Sequence, residues 1–425
     1  MLNVALVGVS GFADCHYREL LSLREMGLIR IVAATVINQE AEASKCSLLR
    51  ELGCAVYDDY RRMLSEEGGR IELCVIPTGI HLHASMTIDA LRAGCHVLVE
   101  KPAAATMEEI SRMREEERWS HRSIAIAYQH LYAPEVMKMK RLLLDGKIGR
   151  PLAVKGLGLW PRAENYYARN GWAGRLKCGE SWVLDSPFNN AFAHWLNLTC
   201  FLAGRSAETA ANPRAVQAEL YRARAIESAD TACLRIETDE GPSLLFYVTH
   251  SCSQTVDAEV EVRGTEGALC WRRDGIFHRF QGGCECLFPV SSEEASRRSM
   301  YEAVLRRIAG EEAFVCGLAI AEKQSLCANA AFLSSAIHDI SPEFLVQNGE
   351  APSDLVAIRD IEPIFRAAFD QELLWSQMAV PWARPGRMVR ADEFTKIERL
   401  SLPKALPDAP VFQVQEPAEA LVKRG

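Results

Sequence analysis

Scarcity narrows the function of this 425-residue chain before any motif is read. No apolar run approaches the roughly 18 residues needed to cross a bilayer, so no membrane-spanning helix is expected. A basic stripe is missing too. The formal charge is -8 and the pI about 5.8, and without clustered lysine and arginine, binding to DNA or RNA phosphates lacks its electrostatic source. Neither nucleic acid nor membrane is an expected partner. Among the 14 cysteines there is no C-x-x-C pair. Cys284-Glu285-Cys286 stands without a second pair to complete a zinc site, and Cys74, Cys200, Cys233 and Cys327 sit inside apolar runs as small hydrophobes do. The cysteines read as reduced and structural, and no metal site is expected. The apolar start lacks a basic leader and is soon broken by glycines and a charged helix, so it reads as a first strand, and a cytoplasmic location is expected.

What is present is an ordinary globular composition, 48% apolar and 24% charged, long enough for two domains. Over residues 2–129 strand and helix patterns alternate: strands near 2–8, 29–37, 71–77, 96–99 and 123–128, and helices near 12–26, 40–53, 59–67, 81–94 and 107–118. Alternation with short connections implies right-handed βαβ units and a parallel sheet covered on both faces. Pro134 opens a further helix that stops at Gly146. Segments 152–160, 215–221, 231–237, 243–249, 257–262 and 268–271 then read as strands, several with the two-residue alternation of a half-covered sheet. Residues 302–340 return to helix, and the Pro-rich remainder reads as extended, free to wrap its own subunit or a neighbour. The fold class is α/β. A doubly wound Rossmann sheet spans 1–129, an α+β domain with a large, mostly antiparallel sheet spans 130–385, and a tail spans 386–425.

The first strand runs into Gly8-Val9-Ser10-Gly11-Phe12-Ala13 and then a helix, a turn whose bare backbone and helix N-terminus suit a dinucleotide pyrophosphate. The fingerprint is imperfect: Ser10 occupies the second glycine position with Gly11 beside it, and Ala13 is an accepted third residue. The second strand ends Ala34-Thr35-Val36-Ile37-Asn38-Gln39, with no acid until Glu40 and no arginine at its tip. Asn38 or Gln39 can bond a ribose without repelling a phosphate, so NAD and NADP both stay open.

Glu100-Lys101-Pro102 ends a short apolar strand, which places a lysine at the carboxyl end of a parallel strand, where open α/β sheets bind ligands. The glycine turn, the loop Pro77-Thr78-Gly79-Ile80-His81-Leu82-His83, the run Ala90–Val97 and Glu100-Lys101-Pro102, in that order, resemble the Gfo/Idh/MocA family. The resemblance covers most of the chain and is strongest over 3–155. It implies an N-terminal NAD(P) domain, a C-terminal domain whose open sheet joins subunits into a dimer or tetramer, and hydride transfer between nicotinamide C4 and a sugar or polyol carbon. It also implies that Lys101 touches the reacting hydroxyl and the nicotinamide ribose, that Pro102 fixes the turn and that Glu100 orients the strand end. A cation beside a developing alkoxide stabilises charge, and a desolvated lysine lowers its pKa enough to enter a proton relay.

Thr78 and His83 are cofactor-contact candidates from that loop, and Gln129, after the last Rossmann strand, is a candidate to reach the nicotinamide. The family's Asp-x-x-x-His is matched only at Asp185, for Asn189 stands where the histidine should be, and an amide has no useful basicity. Ser186-Pro187 reads as the start of the helix, which puts Asn190 and His194 on one face and makes His194 the candidate proton acceptor. Failing that, Lys101 with Asp185 must handle the proton. Between Trp160 and Trp182, Arg162, Tyr166, Tyr167, Trp172, Arg175 and Lys177 suit a polyhydroxylated or carboxylated substrate. The expected function is an NAD(P)-dependent oxidoreductase on a sugar, polyol or related hydroxy compound. The missing histidine keeps two alternatives open: redox-assisted glycoside cleavage with retained NAD, and a non-catalytic dinucleotide-binding regulator.

Overall fold

In the computed structural model the described residues are 1–349, 354–394 and 397. The first half alternates as its sequence implies: β1 (Leu2–Val7), α1 (Ala13–Glu25), β2 (Ile29–Thr35), α2 (Ala43–Glu51), β3 (Ala55–Tyr57), α3 (Tyr60–Glu67), β4 (Leu73–Ile76), α4 (Ile80–Arg92), β5 (His96–Val99), α5 (Met107–Ser120) and β6 (Ile124–Ile126). All six strands are parallel, in the order β3-β2-β1-β4-β5-β6. That is the doubly wound Rossmann arrangement, whose order reverses between β1 and β4 and so opens a crevice at the carboxyl ends of the strands. β1 and β4 are buried almost throughout because helices cover both faces. The three-residue β3 was too short to show as a strand in the sequence.

The chain continues through α6 (Pro134–Leu144), β7 (Pro151–Leu159), α7 (Glu164–Ala168), the small hairpin β8 (Lys177–Cys178) and β9 (Ser181–Trp182), and α8 (Ala193–Ala203). Then come β10 (Pro213–Arg222), β11 (Thr231–Thr238), β12 (Ser243–Thr249), β13 (Val256–Gly264), β14 (Ala268–Arg272), β15 (Gly275–Phe280) and β16 (Gly283–Phe288). After α9 (Glu293–Ile308) and α10 (Leu318–Ser334), β17 (Ile337–Asp339), β18 (Leu345–Asn348), β19 (Leu355–Ile358), α11 (Ile361–Gln371) and β20 (Val389–Arg390) complete the described elements. The large sheet runs β16-β15-β14-β13-β7-β12-β11-β10-β17, with β20 also on β10, and it is antiparallel except at β7/β12 and β10/β17.

The span read as one helix over 302–340 is two helices and a strand. The break between them has a physical cause: residues near 316 lie along the edge of the Rossmann sheet. The Cys316 carbonyl accepts from Ile126 N–H at 2.8 Å, and Cys316 N–H donates to the Tyr132 hydroxyl at 2.9 Å, which occupies an otherwise open strand edge.

The residues after 340 are not simply extended either. One face of the large sheet packs on α8 and α10. The other, at Leu157, Tyr221, Leu245 and Tyr247, is covered by Ile361, Phe365, Phe369, Trp375 and Trp382 of the same chain. Polar ties hold this cover down. Arg263 grips Glu372 through two bonds, at 2.6 and 2.7 Å, and buried Lys155 bonds Glu261 at 2.9 Å and the Phe369 carbonyl at 3.1 Å. Subunit assembly through this part of the sheet would have to displace α11. The start of the tail docks on its own subunit, with Val389 and Arg390 pairing β10; apart from Ile397, the tail beyond 394 lies outside the described residues.

Candidate active site

The glycine turn is built as a phosphate cradle requires. Gly8 and Gly11 have φ of +97° and +57°, a region that favours glycine, and a Cβ on Gly11 would meet nothing within 4 Å. Gly8 N–H is spent on the Thr35 carbonyl at 2.8 Å. Among the described residues no hydrogen bond engages the N–H groups of Ser10, Gly11 and Phe12, which precede α1 and lie open to an anion. This arrangement fits a dinucleotide. Asn38 at the tip of β2 is exposed and bonds Ser10 Oγ at 3.2 Å. The tip is less bare of arginine than its sequence suggests, because Arg50 from α2 donates to Gln39 at 2.7 Å.

At the end of β5, buried Glu100 accepts from Lys101 N–H at 3.0 Å and bonds His16 Nε2 at 2.9 Å. His16 Nδ1 in turn meets the Tyr301 hydroxyl at 2.7 Å. The His16 hydrogen bond is the largest influence holding the Glu100 pKa below the usual carboxylate value against its burial. The Lys101-Pro102 bond is cis. His83 has no exposed surface: its ring nitrogens lie 2.8 Å from the Pro102 carbonyl and 3.1 Å from that of Thr78. It therefore fixes the turn and turns no atom toward the cleft, unlike the cofactor contact its sequence position suggests. Half-buried Thr78 directs its hydroxyl to Met86 Sδ. On α10, Asn329 bonds both Ala105 O and Met107 N, pinning the segment after Pro102.

Lys101 Nζ reaches across to the second domain, donating to the Asn190 carbonyl at 3.0 Å and to its side-chain Oδ1 at 3.2 Å. Asn190 Nδ2 donates to Asp185 Oδ1 at 2.8 Å, and Gly174 N–H donates to Asp185 Oδ2 at 2.6 Å. Burial lowers the Lys101 pKa, with Glu100 and Asp185 opposing. Burial also raises the Asp185 pKa, against the Gly174 N–H. Both shifts bring neutral forms closer to working pH.

This bridge exists because α8 starts late. The Ser186-Pro187 signal places the helix start at 186, yet residues 187–192 form a wide turn, with Phe192 N–H on the Pro187 carbonyl at 2.7 Å, and the helix begins at Ala193. The Phe192 ring lies so close to β7 that a Cβ at Gly158 would come within 2.3 Å of it. Asn190 and His194 thus do not share a helix face. Asn189 turns away from Lys101: its amide donates to the Leu184 carbonyl at 3.1 Å and accepts from Gln324 at 3.1 Å.

His194 is buried against Tyr128 and His130, with ring centroids 5.7 and 5.1 Å apart, and its Nδ1 has no partner. Burial, followed by the charges of His130, Lys101 and Arg297, pushes its pKa well down and leaves a neutral ring. Gln129 donates to Glu293, while its Oε1 stays buried and unpartnered.

The aromatic and basic loop folds over Asp185. Tyr166, Tyr167, Gly174, Asp185, Ser186, Pro187, Ala229 and His250 line a recess. The Arg162 guanidinium lies 4.8 Å from the Tyr166 ring, and that of Arg169 lies 3.6 Å from it. Burial, then the Arg162 charge, pulls the His250 pKa down to about 3. Trp172 also faces Arg169, Arg175 lies 4.0 Å from Glu227, and Lys177 sits over Trp182. Sequence reading missed Arg169, His250, His16 and Tyr301, and it placed Asn190 without recognising it as a bridge. These residues meet only through tertiary contacts, so no local spacing marks them.

A Rossmann sheet with an anion-ready glycine turn, joined through a strand-end lysine to an open-sheet partner domain, defines the class of two-domain dinucleotide-binding α/β proteins. Within it, the chain belongs to the Gfo/Idh/MocA family: residues 2–128 match the oxidoreductase family, NAD-binding Rossmann fold, and residues 136–270 match the GFO/IDH/MocA C-terminal domain. It is 26% identical over 156 residues to the inositol 2-dehydrogenase of Salmonella typhimurium, a match covering 36% of this chain and 45% of that enzyme. The match therefore spans less than half of that relative's length. With the inositol 2-dehydrogenase of Burkholderia cenocepacia, identity is 23% over 267 residues, 63% of this chain and 72% of the relative. The structure resembles the WlbA dehydrogenase of Bordetella pertussis in complex with NADH and UDP-GlcNAcA, with TM-score 0.64 and 19% identity over 78% of this chain and 95% of that one. It also resembles levoglucosan dehydrogenase in complex with NADH and levoglucosan, with TM-score 0.66 and 20% identity over 78% and 96%. At these identities the structural likeness speaks for the fold. Among the described residues no helix is long and apolar enough to cross a membrane.

Proposed function

We propose that this protein is an NAD(P)-dependent oxidoreductase that oxidises a CH–OH group of a sugar, polyol or related hydroxy compound. The observation that carries this reading is the Lys101–Asn190–Asp185 chain of hydrogen bonds, closed across the cleft at the carboxyl end of β5. The cofactor, when bound, supplies the hydride acceptor at nicotinamide C4.

Lys101, desolvated and with a lowered pKa, takes the substrate hydroxyl proton in its amine form and faces the oxygen as an ammonium. Asp185, held by Gly174 N–H and by Asn190, offsets the charge that Lys101 then carries. Asn190 fixes the lysine head with two acceptors and leaves a third N–H for substrate. Neutral His194, with a free Nδ1, is the second candidate acceptor. Asn189, engaged on both sides by backbone and Gln324, holds the loop. Arg162, Tyr166 and Arg169 present stacking faces and donors suited to a polyhydroxylated or carboxylated substrate.

The test is a panel of sugars, polyols and their acids, followed by absorbance at 340 nm and by product analysis. Net cofactor reduction supports the dehydrogenase. Cleaved glycoside without net reduction replaces it with redox-assisted elimination, and tight cofactor binding with no chemistry replaces it with a regulator.

A further inference from the structure

Two consecutive arginines on α9 have opposite fates. Arg298 is satisfied within the protein: it pairs with Glu19 on α1 and donates to Ser22 Oγ at 2.8 Å. Arg297 is only 8% exposed, and its Nε is buried without a partner. Among the described residues no hydrogen bond or ion pair engages its guanidinium; exposed Glu294, three residues back, feels its charge but turns its carboxylate to its own backbone and to Ser292. An enclosed guanidinium without an anion is costly, and a fold retains one where a counter-charge arrives from outside.

Its position says which counter-charge. Arg297 lies one turn before Tyr301, whose hydroxyl meets His16 in the first turns of α1. The charge of Arg297 bears on Cys15, three residues beyond the open N–H groups of the glycine turn, and on His194 of its own domain. The carboxylates beside this path are already taken, Glu100 by His16 and Lys101 N–H and Glu19 by Arg298. An anion bound at Ser10, Gly11 and Phe12 would therefore face a cation from the other domain.

We infer that Arg297 is a dinucleotide-binding residue contributed by the second domain, its guanidinium taking the bridging pyrophosphate opposite the glycine turn. This rests on the reading of the first domain as a nicotinamide-dinucleotide site. The cofactor then joins the two domains, which α9 already ties together through Arg298–Glu19 and Tyr301–His16.

The full-length protein without ligand is melted, and NADH, NADPH and ADP-ribose are titrated by fluorescence or calorimetry, with Arg297→Met, Arg297→Lys and Arg298→Met. Arg297→Met is expected to weaken NADH and ADP-ribose binding by about tenfold or more, as loss of a charge-assisted contact does. The ligand-free Tm should hold or rise, because an unpaired buried charge has gone. Arg297→Lys should recover part of the affinity. Arg298→Met should do the reverse, lowering the Tm and leaving NADH affinity within about twofold, since its contacts are structural. An Arg297→Met protein that melts lower than wild type and binds NADH as tightly overturns the inference. A wild type that binds neither NADH nor NADPH overturns the dinucleotide reading itself, and this inference with it.

Discussion

The two walls of the cleft differ in how completely their polar atoms are spent. On the Rossmann wall, Glu100, His16 and His83 bond one another, the backbone or Tyr301 of α9 at 2.7–3.1 Å, and His81 Nδ1 and Thr87 Oγ1 on α4 are the buried atoms left without partners. On the facing wall, Arg162 Nε, Tyr167 Oη, His194 Nδ1 and Arg297 Nε are buried without partners, as is Gln129 Oε1 where the two domains join. An unsatisfied buried polar group costs roughly 1–3 kcal/mol, and a ligand that bonds these atoms recovers that cost. The first wall is scaffold and the second is receptor. Substitutions in the scaffold should cost structure, and those in the receptor should cost binding or turnover.

Lys101, which joins the walls, should give the largest effect. Lys101→Met is expected to reduce kcat/KM by about a thousandfold while the protein melts near wild type, because general acid–base groups contribute on that order; steady-state rates with a substrate from the panel decide, and a fully active variant removes the lysine from the mechanism. Next comes Glu100→Gln, which breaks the buried link to His16. It should cost about 3 kcal/mol of stability, as breaking a buried pair does, and a chemical denaturation curve unchanged from wild type would show that the first wall is not the rigid one.

Arg162→Met acts on the receptor wall and should raise KM about tenfold with little change in Tm, equivalent to about 1.4 kcal/mol of binding. A fall in Tm with unchanged KM would move Arg162 to the scaffold.

The smallest effect is a slope. Burial lowers the pKa of His83, His130, His194 and His250 from the ordinary 6.5, that of His250 to about 3. The unfolded chain therefore takes up protons below pH 6.5 that the folded chain refuses. Stability should be flat above that pH and fall from 6.5 toward 3, by at most about 1.4 kcal/mol per pH unit for each histidine. Melting across that range with His250→Gln should show a shallower fall than wild type; an identical fall in both would mean that His250 is not buried neutral.

The Rossmann half was legible because its strands are β-branched apolar runs spaced by helical patterns, and each choice is local. The edge strand β16, Gly283-Cys-Glu-Cys-Leu-Phe, was not, because an exposed strand has no covered face to impose alternation. At Ser186-Pro187 the capping chemistry was recognisable, but tertiary packing of Phe192 over Gly158 decided where the helix began. The Lys101–Asn190 bond spans 89 residues and the His16–Tyr301 bond 285. No periodicity encodes such contacts, so lysine and aspartate were paired only as the fallback for the proton, and the asparagine between them was not seen as their link.

The self-covered sheet has a consequence in time. During synthesis the six Rossmann strands can pair as soon as β6 emerges, because no later strand joins that sheet, and only its edge waits for Cys316. The large sheet has no such early finish: Leu220 must wait for Ile337, Val216 for Val389, and the apolar face at Leu157 and Tyr247 for Phe365 and Trp375. Until those residues leave the ribosome, a broad greasy surface and an open strand edge face the solvent together, the combination that invites aggregation. The interval between completing β12 and completing α11 is thus when this chain most needs a chaperone, and nonsense truncations between them should yield insoluble protein.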